Sequence, residues 1–182
     1  MNREPRTRDL RQGNIDEREM VLPQLRIART DEAPAVAALV NAAFQVESFF
    51  KRGDRTNSAD VLNLMKRGEF LVLDAPEVAA DAGTGLAGCV YARMNGDRGC
   101  FGMLSIDPGF QGRGLGRSMV AAIESRFRAQ GCRALDIHVV NLREELPPFY
   151  ERFGYVISGT LPFPDDGSAT QPCHFIVMTK CM

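Results

Sequence analysis

Glycines alternate with other residues in Gln111-Gly112-Arg113-Gly114-Leu115-Gly116, within the longer stretch SIDPGFQGRGLGRS that runs from Ser105 to Ser118. Glycine tolerates a left-handed backbone, so such a run turns tightly and aims successive N–H groups at one point. Where the run also opens a helix, the unpaired N–H groups of the first turn and the positive end of the helix dipole add to it. The chemistry on offer is anion binding, and a diphosphate suits the size of the nest. Arg113 and Arg117 add charge at its rim, and Ser118 adds a hydroxyl. An ATP-type P-loop requires Gly-Lys-Ser/Thr, yet no lysine stands between Lys66 and Lys180. The dinucleotide fingerprint G-x-G-x-x-G fails as well, because Met119 stands where its third glycine belongs. A ligand-free tight turn is the plainer alternative, but it needs one or two glycines rather than three at alternate positions.

Few other residues combine reactivity with a suggestive setting. Tyr150 carries a phenol whose ordinary pKa of about 10 keeps it protonated at neutral pH, so it can serve as a proton donor. On the residues alone it reads more readily as an aromatic packing beside Phe149 and Phe153. Glu47 stands among Phe44, Val46, Phe49 and Phe50, where desolvation would raise a carboxyl pKa and suit a general base. An ordinary solvated loop glutamate fits the same sequence. Asp136 and His138 share the polar face of one strand, and His138 reads more readily as structural than as a proton acceptor. Arg55 could hold an acidic substrate group, although a solvated arginine is the simpler reading. The cysteines Cys89, Cys100, Cys132, Cys173 and Cys181 form no C-x-x-C pair. They have no zinc-like spacing with His138 and His174 either, so neither a metal site nor a disulfide is expected.

The elements that must position these residues follow from hydrophobic period. Residues 24–29 alternate as a strand, and a helix capped by Thr30 or Asp31 runs to about Phe44 with Val36, Leu39, Val40 and Phe44 on its apolar face. A shorter helix starts at Asn57 or Ser58 and stops at Gly68. Residues 70–73, 85–94 and 100–106 read as strands separated by turn residues. Residues 114–130 form the helix that the glycine run opens, with Leu115, Met119, Ile123 and Phe127 on one row. A strand at 134–140, a short helix at 147–153 and closing strands at 155–160 and 174–180 complete the chain. This order predicts an α/β (α+β) fold: a mixed, mostly antiparallel sheet of about seven strands flanked on both faces by about four helices.

Length and composition agree with one domain. The 182 residues are 45% hydrophobic and 25% charged, enough for a substantial core. Residues 1–23 lack a hydrophobic period and are expected to form a flexible tail, leaving 24–182 as the functional domain. A net charge of -1 gives no electrostatic ground for nucleic-acid binding. No apolar run has the length of a membrane span and no leader is evident, so a soluble cytoplasmic protein is expected.

Two segments together resemble the GCN5-related N-acetyltransferase (GNAT) family. Leu104-Ser105-Ile106-Asp107-Pro108 followed by Gln111-x-x-Gly114-x-Gly116 looks like that family's acyl-CoA signature. Downstream, Asn141 and Phe149-Tyr150-Glu151-Arg152-Phe153-Gly154-Tyr155 resemble its second segment, with the element order above in keeping. The likeness spans residues 24–180. It implies that backbone groups of Leu104, Ser105 and Ile106 pair with the pantetheine arm of acetyl-CoA, one N–H polarising the thioester carbonyl. It further implies that Gln111, Gly112, Arg113, Gly114, Leu115 and Gly116, with Arg117 and Ser118, hold the pyrophosphate, that Asn141 touches the pantetheine, and that Tyr150 sits near the sulfur. The segment from Asn141 to Tyr150 is longer than usual and contains Pro147-Pro148, which loosens the correspondence at Asn141.

The resulting expectation is an acyltransferase that moves an acetyl group from acetyl-CoA, its cosubstrate, to an amine of a small molecule or peptide by direct attack in a ternary complex. Tyr150 would be the general acid and Glu47 the candidate base, with no metal and no nucleic-acid or membrane partner. The resemblance also makes a homodimer plausible. A non-catalytic acyl-CoA sensor on the same fold is the alternative, and the acceptor is not readable from sequence.

Overall fold

The computed structural model describes residues 22–76 and 84–182. The expected tail lies outside the described residues apart from Leu22 and Pro23. Seven strands form one sheet in the order β1-β2-β3-β4-β5-β7-β6: β1 Arg26–Ile27, β2 Glu69–Asp74, β3 Leu86–Asn95, β4 Arg98–Ile106, β5 Ala134–Val140, β6 Val156–Pro162 and β7 His174–Cys181. Every pairing is antiparallel except β4 with β5. Four helices accompany them: α1 Ala33–Phe44, α2 Ser58–Met65, α3 Leu115–Ala129 and α4 Leu146–Glu151.

The continuous apolar run Phe70-Leu71-Val72 explains how the layers assemble, because all three side chains are fully buried. Successive side chains on a strand face opposite ways, so both faces of β2 are covered. Phe70 and Val72 join a cluster with Val36, Leu39 and Val40 of α1 and Val61 of α2. Leu71 joins the opposite cluster with Met119, Val120, Ile123 and Phe127 of α3, together with Tyr150 and Tyr155. Helix α3 lies close to the sheet: a Cβ on Gly88 of β3 would come within 2.7 Å of Met119 Sδ, so only glycine permits that approach. Asn57 caps α2 by accepting from the Asp60 N–H at 3.0 Å.

The first strand is shorter than the alternation in residues 24–29 suggests. The Glu32 carboxylate accepts the Arg29 N–H at 2.7 Å and takes the Arg26 guanidinium at 2.7 and 2.8 Å, which turns the chain into the 3-10 turn before α1. That local capture competes with continued pairing along β2.

Two irregularities shape the middle of the sheet. Strands β4 and β5 pair only over Arg98↔Ala134, Gly99↔Leu135 and Cys100↔Asp136, so the rest of β4 has no ladder with β5. Between Tyr91↔Gly102 and Cys89↔Ser105, β4 advances by one residue more than β3, which is a bulge. Met103 lies in this interval at φ 51, in the left-handed region where a side chain costs about 1–2 kcal/mol. Bulge and splay together open a cleft on the C-terminal side of β4.

Candidate active site

The glycine run lies where β4 passes into α3. After a single 3-10 turn, Pro108–Phe110, the chain runs through Gly112 and Gly114 at φ 74 and 79. A Cβ on either would find no atom within 4 Å, so glycine is needed there for backbone conformation and not for space. Ser118 N–H donates to the Gly114 carbonyl at 3.1 Å as the first bond of α3, which leaves the N–H groups of Leu115, Gly116 and Arg117 without intrahelical acceptors. Two side chains hold the loop in shape. Asp107 accepts the Gly109 N–H at 2.8 Å, and Gln111 Nε2 donates to the Ile106 carbonyl at 2.9 Å. The Gln111 side chain is therefore engaged in bracing the loop, and the Ser118 hydroxyl donates back to Gly114 at 3.2 Å. Arg113 lies 5.6 Å over the Phe110 ring. Ser105 is buried with its hydroxyl donating to the Met103 carbonyl at 3.0 Å, a contact within the bulge.

Asn141, at the end of β5, is also committed. Its Oδ1 accepts the His174 N–H at 2.8 Å and its own N–H donates to the His174 carbonyl at 3.0 Å. Its side-chain amide nitrogen has no partner among the hydrogen bonds of the described residues.

The second chemical centre is a cleft of about 120 Å³ bounded by Glu47, Arg55, Leu104, Arg143 and Tyr150. Tyr150, supplied by α4, is 7% exposed and packs against Phe149, Tyr155 and Phe101 at centroid distances of 5.0, 5.8 and 6.2 Å. Burial pushes its phenol up to about 12, while the nearby Arg143 guanidinium pulls it down in part. The packing reading of Tyr150 holds, and the residue also lines the cleft.

Glu47 is 4% exposed, so the reading of it as a solvated loop residue does not hold. Its Oε1 lies 3.2 Å from Arg143 Nη1, and its Oε2 is 3.9 Å from Arg55 Nη1, within ion-pair range but beyond a hydrogen bond. Burial raises the Glu47 carboxyl above its ordinary value, and the Arg55 and Arg143 charges offset part of that rise. Arg55 is likewise not solvated: its side chain is 21% exposed and its guanidinium sits 5.2 Å over the Phe44 ring.

Arg143 was not evident from sequence. It follows β5 in a turn that carries no periodic signal, and only the fold carries it across to Glu47, a residue from the far side of the chain. Its position two residues after Asn141 was the one available clue. His138 and Asp136 part company. Asp136 is bound by Arg98 at 2.7 Å and by the Thr179 hydroxyl at 2.6 Å, whereas His138 is exposed and borders the cleft. Among the described residues no group of three or more His, Cys, Asp or Glu side chains is arranged for a metal, and no helix is long and apolar enough to cross a membrane.

The splayed mixed sheet thus carries an open glycine-rich turn at the start of α3 and a cleft lined by a buried phenol and a buried carboxyl. The chain belongs to the acetyltransferase (GNAT) family, whose sequence model matches residues 35–155. It is 29% identical over 136 residues to the mycothiol acetyltransferase of Propionibacterium freudenreichii, a match covering 72% of this chain but 42% of that protein. The chain therefore spans under half of that relative's length. Among solved structures it resembles the ribosomal-protein-S18-alanine N-acetyltransferase of Escherichia coli, with a TM-score of 0.67 and 15% identity over 87% of this chain and 92% of that one. It is similar also to a Salmonella typhimurium protein solved with its cofactor acetyl-CoA, at TM-score 0.61 and 14% identity over 87% and 92% of the two chains. At these identities the structural likeness establishes the fold.

Proposed function

We propose that the chain transfers an acetyl group from acetyl-CoA to a primary amine of a small molecule or peptide, by direct attack within a ternary complex. The observation that carries this reading is that Tyr150 and Glu47, far apart in sequence, border one cleft beside the open edge of β4. The unpaired N–H groups at the start of α3 and the open glycine loop suit the donor's diphosphate. The unladdered part of β4, Leu104–Ile106, suits an extended arm laid alongside it. Glu47 accepts a proton as the amine nitrogen bonds to the acetyl carbon, and a backbone N–H of β4 steadies the oxyanion. The carbon–sulfur bond then breaks and Tyr150 donates toward the departing sulfur.

A phenol near 12 is a weak acid beside an ordinary thiol near 8.5, a gap that disfavours full proton transfer by roughly 5 kcal/mol at 1.36 kcal/mol per unit. The same burial acts on sulfur, however. The fully buried Cys89 thiol of this protein is pushed up to about 12, so burial raises a thiol as it raises the phenol, and desolvation of the leaving sulfur would narrow the gap.

The proposal extends to residues 24–182 acting as one catalytic unit, to cytoplasmic residence and to a homodimer. In favour of the last, β6 ends the sheet with all seven residues exposed, including Val156, Ile157 and Leu161. Thermal-shift measurements with CoA, ATP and NAD, followed by thiol release from acetyl-CoA with a panel of amines, test the reading. Stabilisation by CoA with amine-dependent thiol release is the expected result. Stabilisation by ATP alone would refute the donor assignment, and CoA binding without turnover on any amine would leave the acyl-CoA sensor.

A further inference from the structure

Buried polar atoms without partners gather on one side of the cleft. Of six such side-chain atoms among the described residues, Glu47 Oε2, Arg55 Nε, Thr56 Oγ1 and Ser168 Oγ all belong to residues around this cleft and its outer extension. Leaving such groups unmet in a folded core costs free energy, most of all for a charged donor, so their concentration here marks a place built for a polar ligand. Arg55 is the most under-used among them. A guanidinium offers five N–H donors, yet the sole carboxylate within 4 Å of Arg55 among the described residues is Glu47, at 3.9 Å.

The position of Arg55 is fixed. Asn41 of α1 accepts the N–H groups of Arg55 and Thr56 at 2.9 and 3.0 Å and donates to the Thr56 carbonyl at 2.9 Å. Arg55 borders the inner cleft and three adjoining outer ones, none of which is lined by any residue of the α3 anion cradle. Its free donors are thus separate from the donor's diphosphate. The other cation facing the cleft, Arg143, is already held by Glu145 at 2.6 Å and Glu47 at 3.2 Å. Lys51, on the outer side, donates to the Asp54 carbonyl at 2.8 Å. Asp54, Asp60 and Asp166 border the outer cleft and are exposed, and none pairs with Arg55.

We propose that the acceptor is an amine that carries a carboxylate, a small amino acid in chemical class, with Arg55 binding the carboxylate while Glu47 receives the proton of the amine. A planar guanidinium fork matches a carboxylate in geometry as well as charge. In an α-amino acid the two groups are separated by one carbon, which suits adjacent Arg55 and Glu47 in a cleft of about 120 Å³. This inference rests on the acetyltransferase reading above.

The test compares L-amino acids with their C-terminal amides as acceptors, for wild type, Arg55→Gln and Arg55→Lys, with CoA-induced thermal shift recorded for each protein. Wild type is expected to prefer the free acid. Arg55→Gln is expected to cost the free acid about 30-fold more in kcat/KM than the amide, chiefly through KM, since a charge-assisted pair is lost. Arg55→Lys should recover part of that difference. Equal use of acid and amide by wild type, or equal losses for both in Arg55→Gln, would overturn the inference and leave the donor site standing. Turnover confined to amines without a carboxylate would do the same. Failure of all three proteins to bind CoA would remove the acetyltransferase reading and this inference with it.

Discussion

Replacing Tyr150 by phenylalanine separates its two duties. The ring contacts with Phe149, Tyr155 and Phe101 at 5.0, 5.8 and 6.2 Å remain, so the residue stays a core aromatic. Stability is expected to change by no more than about 1 kcal/mol, the usual net worth of one hydroxyl. Loss of the donor to the leaving sulfur should lower kcat by about 100-fold, or about 2.7 kcal/mol in activation free energy, while KM for acetyl-CoA stays within a factor of about three. The phenol donates in its protonated form, which persists until pH rises through about 12. The wild-type to mutant ratio of kcat should therefore hold level from pH 6 to 10, by the sign of that shift. Thiol release followed spectroscopically at saturating acetyl-CoA and amine supplies kcat, and a thermal melt supplies the stability control. A kcat within threefold of wild type, with an intact melt, would refute the acid role. A ratio that collapses toward one between pH 8 and 10 would refute the elevated phenol.

Three further outcomes are expected. Gly114→Ala places a Cβ in the left-handed region without any clash, so the fold should lose only about 1 kcal/mol while CoA affinity, read by calorimetry, falls at least about tenfold as the N–H nest shifts. Because burial raises the Glu47 carboxyl, its basic form is lost as pH falls through a value above the ordinary carboxylate range; kcat/KM should show an acid limb there, and Glu47→Gln should abolish that limb along with most of the rate. Glu32 behaves with the opposite sign. Arg26 and the Arg29 N–H hold its carboxyl down near 2, so its contribution to stability is present above its unfolded value and is lost as pH falls toward 2. Glu32→Gln should cost about 1–2 kcal/mol at pH 7 in urea unfolding, discounted because Arg26 is one-third exposed, and almost nothing at pH 2.

The glycine turn to which the donor site is assigned was legible because its signal is local. Alternate glycines, a helix start and a preceding strand occur within one stretch, and φ values of 74 and 79 at Gly112 and Gly114 are what that spacing requires. Strand β5 likewise follows strict alternation, and its observed bounds, Ala134–Val140, agree with the periodicity. The acceptor half was not legible in the same way. Arg143 becomes a partner of Glu47 only when the end of β5 and the loop after α1 meet, a tertiary event with no periodic trace. Arg55 reads as solvated until Phe50, fully buried, is seen to anchor its loop against the segment after β6, through the Thr170 N–H on the Phe50 carbonyl at 2.8 Å and the Arg52 N–H on Ser168 at 2.8 Å. Asn141 shows the converse limit. Its side-chain oxygen serves the β5–β7 junction, a contact that the motif resemblance does not foretell.

The short ladder between β4 and β5 has a mechanical consequence. Three residue pairs join a half-sheet bearing the glycine loop, β1 to β4, to one formed by β5, β7 and β6, whose internal ladders are much longer. Parting the halves at the cleft end breaks few backbone bonds, whereas deforming either half breaks many. The seam is thus held by few ladder bonds, and the buried cluster that joins Leu71, Val90 and Phe101 to Leu135, Ile137 and Met178 must supply much of what keeps the halves together. Amide exchange should be fastest along the unladdered edge of β4 and slow as a bound donor bridges it. If the proposed donor lies along this edge, the loaded sheet should be the stiffer one, the ligand standing in for the ladder that β4 and β5 lack.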